Sequence, residues 1–102
     1  MGQGKQKFIP LANNLEMQAA EAWFVYVVRC ADRSLYTGIA KDVIRRCKQH
    51  NAGTASRYTR SRRPTKLVYQ ESKPSQSSAL KREAEIKAMP RRKKLAMIHL
   101  AG

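Results

Sequence analysis

Apolar residues along the chain fall into short runs separated by polar, basic stretches, and their spacing predicts the fold. The strongest run, Phe24 to Cys30 (FVYVVRC), is apolar without alternation, as expected of a strand covered on both faces. Ala31-Asp32-Arg33-Ser34 is a polar turn, and Leu35 to Ala40 (LYTGIA) is a returning strand. Together they predict a β-hairpin. Side chains alternate along a strand, so loop length decides which residues share a face. An odd loop is expected, with Tyr26, Val28 and Cys30 facing the same way as Tyr36, Gly38 and Ala40. Gly38 would then leave a gap beside two phenols, because a strand glycine usually marks a bulge or a close approach.

Asp42 is a good N-cap for a helix over 43–51, and Gly53 fits its C′ position. Val43, Ile44 and Cys47 are its expected inward stripe, while Arg46 and His50, four apart, share a neighbouring face. Ala52 to Pro64 (AGTASRYTRSRRP) reads as a basic loop, and Lys66 to Glu71 (KLVYQE) as a third strand. A helix starts at Pro74-Ser75 and runs to about Ala88, and Pro90 separates it from a last helix over 91–100. The order is β-β-α-β-α-α. This predicts an α+β domain over 23–102, with a three-stranded antiparallel sheet flanked by helices. Residues 1–22 are expected to be a basic N-terminal extension, with a short helix available to LEMQAAEA.

Charge narrows the partner. The 102-residue chain carries 21 Lys+Arg against 7 Asp+Glu, a formal charge of +14. Such a surplus on a small body favours polyanions, and nucleic acid leads. A membrane surface is not expected, because no basic amphipathic helix with an aromatic apolar face is present. Cys30 and Cys47 belong to no CxxC pair or zinc-spaced cluster, so both are expected to be reduced thiols. No apolar stretch has the length of a signal core or a membrane span. Cytoplasmic localisation is therefore expected.

Two tyrosines, one arginine and one carboxylate form a kit suited to cutting a phosphodiester. Tyr26-Val27-Val28, Tyr36-Thr37-Gly38, Arg46 and downstream Glu83 resemble the GIY-YIG nuclease superfamily over about residues 23–98. The first triplet keeps the tyrosine of Gly-Ile-Tyr, and the second differs only by Thr37. Arg57-Tyr58-Thr59-Arg60, Arg62-Arg63-Pro64, Leu67-Val68-Tyr69 and Arg82-Glu83 are most similar to the small stand-alone bacterial branch. The chain departs from the excision-repair members at Ile39, where they have lysine, and at Leu95, where they have asparagine.

The resemblance implies roles for these residues. Arg46 would hold the scissile phosphate with a planar, permanently charged fork. Tyr26 and Tyr36 would position and activate water, although a free phenol, with a pKa of about 10, is a poor base. Glu83 would bind one Mg²⁺ or Mn²⁺ ion, since one carboxylate plus waters and substrate phosphate is a normal magnesium shell; it could equally pair with Lys87. His50 would assist a tyrosine base, or interact with its helix end. Arg57, Arg60, Arg62, Arg63, Arg91, Arg92, Lys93 and Lys94 are candidate phosphate contacts. Tyr58 would stack on an unpaired base or pack under its loop. The implied activity is magnesium-dependent, structure-directed DNA cleavage in repair or recombination. RNA is a second substrate class, and a larger protein partner would supply specificity. The competing expectation is a binding module of the same fold that cuts slowly or not at all.

Overall fold

The computed structural model describes residues 22–101. Three strands, β1 (Trp23–Arg29), β2 (Leu35–Ala40) and β3 (Lys66–Lys73), form one sheet in the order β2-β1-β3, antiparallel throughout. Among the described residues four helices accompany them: α1 (Val43–Ala52), α2 (Arg57–Arg60), α3 (Gln76–Ala88) and α4 (Arg91–Ala101). The architecture is the expected α+β domain. The expected N-terminal extension and its short helix fall on residues that, apart from Ala22, lie outside those described.

Pairing of β1 with β2 sets Tyr26 opposite Gly38, Val28 opposite Tyr36 and Phe24 opposite Ala40. This is the odd register. One sheet face carries Tyr26, Val28 and Ala40, packed with Phe24, Tyr36, Leu67 and the α1 residues Val43 and Cys47. The other carries Val25 and Val27, which bury Ala79 and Ile86 of α3, with Ile39, Met97 and Ile98 around them. Both faces of β1 are thus covered, which is why its apolar run does not alternate.

The helix ends follow their sequence signals. The Asp42 carboxylate accepts from the Arg45 N–H at the start of α1, and Gly53 ends it in the left-handed region at φ 82. Ser75 opens α3 with a capping box to Ser78. Three expectations need correction. Ile44 is not in the inward stripe: it is 71% exposed, while Val43 is buried and Cys47 half-buried. Val43 already fills the contact with β2, and the 100° step to the next residue turns Ile44 outward. The segment 52–64 is not all loop, because Ser56 accepts from the Thr59 N–H and starts α2. Strand β3 runs two residues past Glu71, since Ser72 and Lys73 still pair with Phe24 and Trp23.

Candidate active site

The site is built around one buried phenol. Tyr26 is 2% exposed, and its ring lies across Gly38 on the neighbouring strand. A β-carbon at Gly38 would stand 2.6 Å from the Tyr26 hydroxyl oxygen and 2.8 Å from Cζ. The glycine therefore creates the space that the phenol fills.

From there the hydroxyl reaches α1. Tyr26 Oη lies 2.7 Å from His50 Nε2, and His50 Nδ1 lies 2.7 Å from Thr59 Oγ1. Thr59 Oγ1 is in turn 2.8 Å from Ser56 Oγ. His50 and Thr59 are both essentially buried, at 1% and 0% exposure. Polar groups at that depth need partners, and this chain supplies them.

Burial is the main reason the Tyr26 proton is held well above the usual phenol range. The Tyr36 phenol and the Glu83 carboxylate add to it, and Arg46 opposes. Burial first, and Arg46 second, hold the His50 imidazole below its ordinary value. A protonated Tyr26 beside a neutral His50 assigns the tautomer: Tyr26 O–H donates to Nε2, and Nδ1–H donates to Thr59. His50 is thus a bonded interior group. Its backbone carbonyl separately accepts from the Gly53 N–H at the helix end.

Tyr36 stands beside this chain. Its ring meets the His50 ring edge-on at 5.2 Å and stacks on Tyr58 at 5.9 Å. The Arg62 guanidinium covers the outer face of Tyr58 at 3.8 Å. Tyr58 is therefore packed on Tyr36, although 37% of it remains exposed. Arg62 also pairs with Asp32 at 3.1 Å. Arg63 donates to the backbone carbonyls of Arg60 and Asn51. Arg57 and Arg60 are exposed, and neither side chain makes a hydrogen bond to another described residue.

Glu83 comes from the opposite face of the sheet. On α3, Ala79 and Ile86 point into the core, and Arg82 and Glu83 flank that stripe. Arg82 is clamped to Glu71 of β3 at 3.0 Å and to Glu85 at 3.0 Å. Tyr69 O–H also donates to Glu71. With Arg82 fixed on the β3 flank, Glu83 lies on the other flank, within electrostatic reach of the Tyr26 phenol. It pairs with Lys87 at 3.3 Å, and the Lys87 side chain is 55% exposed.

Arg46 is half-buried and lines a recess of about 200 Å³ with Lys41, Arg45 and Gln49. Lys41 lies over the Trp23 ring at 5.5 Å. The fold therefore brings Tyr26, Tyr36, Gly38 and His50 together; Arg46 lies one turn before His50 on α1, and Glu83 is linked to them only through its charge. Arg91, Arg92, Lys93 and Lys94 sit apart, on the first turn of α4.

The donor set suits an ion that takes one protein oxygen. No group of three His, Cys, Asp or Glu side chains converges among the described residues, so a closed zinc site does not fit. A magnesium or manganese ion that keeps water and substrate oxygens does fit. Sequence reasoning missed Ser56 and Thr59 as partners of His50. The signal was the helix-start serine inside a stretch read as loop.

A small α+β domain with a buried phenol packed into a glycine gap of an edge strand and hydrogen-bonded to a helix histidine now stands beside its sequence motifs. Residues 22–96 match the family model of the GIY-YIG catalytic domain. The chain belongs to the GIY-YIG family of nucleases, and within it to the UPF0213 proteins. A UPF0213 protein of Staphylococcus aureus strain Mu3 is 55% identical over 78 residues, which is 76% of this chain and 95% of the relative. Its counterpart in strain N315 matches to the same extent. The solution NMR structure of the UPF0213 protein BH0048 from Bacillus halodurans is similar, with 42% identity and a TM-score of 0.53. It covers 79% of this chain and 86% of that one. Nucleases of this family generally depend on divalent metal. Among the described residues, no helix is long and apolar enough to cross a membrane.

Proposed function

We propose that this protein is a magnesium- or manganese-dependent endonuclease that cuts DNA according to its structure, in repair or recombination. What supports the reading is the buried hydrogen bond from Tyr26 to His50 with the Tyr36 ring against it, at a phenol that also feels the charges of Arg46 and Glu83.

Arg46 holds the scissile phosphate and balances the charge that grows on it. Glu83, paired otherwise only with Lys87, would hold a divalent ion, and such an ion would supply Lewis acidity. Tyr36 and Tyr26 orient the attacking water. A buried phenol need not ionise to act as a base. Tyr26 takes the water's proton at its oxygen while its own proton passes to His50 Nε2, and Thr59 supports the imidazole from behind. The new P–O bond forms as the bond to the departing sugar oxygen breaks, and that oxygen takes a proton from solvent.

A second reading, a binding module of the same fold, has one observation in its favour. Ile39 packs into the core beside Val25 and Val27, and so offers no charge where the excision-repair members have lysine. One experiment separates the two. Duplex, flap, junction and single-stranded DNA are incubated with and without Mg²⁺, using wild type, Glu83→Gln and Arg46→Ala. Metal-dependent nicking by wild type, lost in both variants, supports the nuclease. Binding without cutting by all three proteins would leave only the module.

A further inference from the structure

The hairpin turn, the start of β3 and the start of α4 together enclose a cleft of about 580 Å³, away from the Tyr26 pocket. Its walls carry Arg29, Arg33, Lys66 and Arg91, with Leu95 at the side, and none of the residues that line it is acidic. The sheet register makes the crowding unavoidable. Arg29 pairs directly with Lys66 across β1 and β3, and like charges opposite one another oppose folding. Three residues beyond Tyr26, Arg29 leaves β1 on the reverse face. Arg91 Nη2 donates to the Arg33 carbonyl at 2.9 Å, which ties α4 to the turn. Arg33 itself sits in the left-handed region at φ 70, a conformation that an arginine rarely adopts. The turn's carboxylate, Asp32, gives no relief, because it bonds Ser34 and Arg62. Arg92, Lys93 and Lys94 extend the charge along the first turn of α4, where cations oppose the helix dipole.

We infer that this cleft is a second nucleic-acid site, which grips the phosphate backbone away from the bond that is cut. Four cations from three chain segments exceed what one isolated phosphate neutralises, and their extension along α4 matches a polyanion rather than a small ligand. Arg29, Arg33 and Lys66 thereby join Arg91 as backbone contacts. The inference rests on the nucleic-acid reading above and names a surface which that reading does not use.

The test is the salt dependence of binding to a short fluorescent DNA duplex. Each phosphate neutralised contributes about −0.9 to the slope of log affinity against log salt. The triple variant Arg29→Gln/Arg33→Gln/Lys66→Gln should lose about 2.7 of that slope. Between about 50 and 200 mM salt, wild type should therefore lose roughly fortyfold more affinity than the variant. Arg33→Gly is the control for folding, because glycine suits the positive φ; it should lose about 0.9 of slope on its own. Thermal unfolding confirms that both variants are folded. An unchanged slope in both overturns the inference. So does binding to anionic lipid vesicles that depends on these residues while DNA binding does not. Cleavage is scored separately. Wild type that binds with full slope but cuts nothing sinks the nuclease and leaves the cleft standing. Cutting with an unchanged slope in the variants does the reverse.

Discussion

Gly38→Ala is the sharpest perturbation available, because it adds one methyl group against the phenol at the centre of the site. Backbone conformation does not oppose it, since Gly38 lies in a regular strand. Contact does. The new β-carbon would stand 2.6 Å from Tyr26 Oη, 2.8 Å from Cζ and 3.1 Å from Cε2. Reaching even 3.0 Å from the hydroxyl requires a shift of at least 0.4 Å (3.0 minus 2.6). An ordinary 3.4 Å contact requires 0.8 Å. The ring cannot yield freely, because it is buried and its hydroxyl is fixed 2.7 Å from His50 Nε2. A shift of that size, whether it stretches or compresses the bond, takes it away from its favourable length.

The energy terms set the expected size of the effect. Overpacking costs about 1–3 kcal/mol, and leaving a buried hydroxyl or imidazole unpaired costs about 1–3 kcal/mol. Replacing glycine in a strand returns roughly 0.5–1 kcal/mol. Central values give a net loss near ~3 kcal/mol. Displacement of a reacting group by close to 1 Å lowers cleavage by about 100-fold. Urea denaturation measures the first quantity, nicking of a branched DNA the second, and the ¹⁵N shifts of His50 report its hydrogen bond. In the Tyr26→Phe background the same change should cost less, because the closest contact is gone. A stability loss under about 0.5 kcal/mol, the scale of a neutral surface change, with the His50 shifts unmoved, would refute the packing argument.

Other expectations can be checked by standard measurements. Because burial and Arg46 lower the folded pKa of His50 below its unfolded value of about 6.5, the unfolded chain takes up more protons in that window. Stability is therefore full above about pH 6.5 and declines as pH falls through the window; denaturation across this range should show less decline in His50→Gln. The Tyr26 proton is held more tightly in the folded state, so its contribution is complete below about pH 10 and is lost at higher pH. Arg46→Lys keeps the charge but loses the fork, and should cut about 100-fold more slowly while its DNA affinity changes little in a binding titration. Ile44→Asp, at an exposed position, should change stability by less than about 0.5 kcal/mol. Val43→Asp, one residue earlier and buried, should cost about 3 kcal/mol or more in the same denaturation assay.

Much of the fold was legible because local signals agreed with one another. The apolar run of β1 and the Asp42 and Gly53 caps each name one structure, whereas the odd register comes from Cys30, which leaves the strand and lengthens the four-residue polar turn to five. What failed was finer than the pattern could resolve. Val43 and Ile44 are equally apolar, and only the depth of the α1 contact with β2 separates them. The short helix α2 hid inside a basic stretch, since four residues carry no periodicity. At the site, the residue types could be named, but their meeting could not be read from spacing. Tyr26 and Glu83 belong to opposite sides of the sheet, and the charge of Glu83 is nonetheless felt at the phenol that packs over Gly38. The bond from Tyr26 to His50 likewise depends on how closely α1 packs, which no motif encodes.

The scarcity of acids gives the site its final constraint. The described residues include five carboxylates: Asp32, Asp42, Glu71, Glu83 and Glu85. Four are bound in ways the fold needs. Asp32 holds Ser34 and Arg62, and Asp42 caps α1. Glu71 accepts from Tyr69 and pairs with Lys73 and Arg82, and Glu85 completes the Arg82 clamp. Glu83 alone is tied only to a lysine that is largely in water, by an i, i+4 contact of a kind that contributes about 0.3–0.5 kcal/mol. Its charge is also felt at the Tyr26 phenol. In a chain of formal charge +14, a half-buried carboxylate held so loosely can be drawn to a cation at small cost. Its neighbour Arg82 is pinned to β3 through Glu71 and fixes that flank of the helix. The clamp on one flank of α3 and the free acid on the other are thus a single arrangement: Glu71→Gln, far from the phenols, should weaken metal-dependent cutting by loosening Arg82. Unchanged metal affinity in that variant would show that Glu83 is positioned by the core contacts of Ala79 and Ile86 alone.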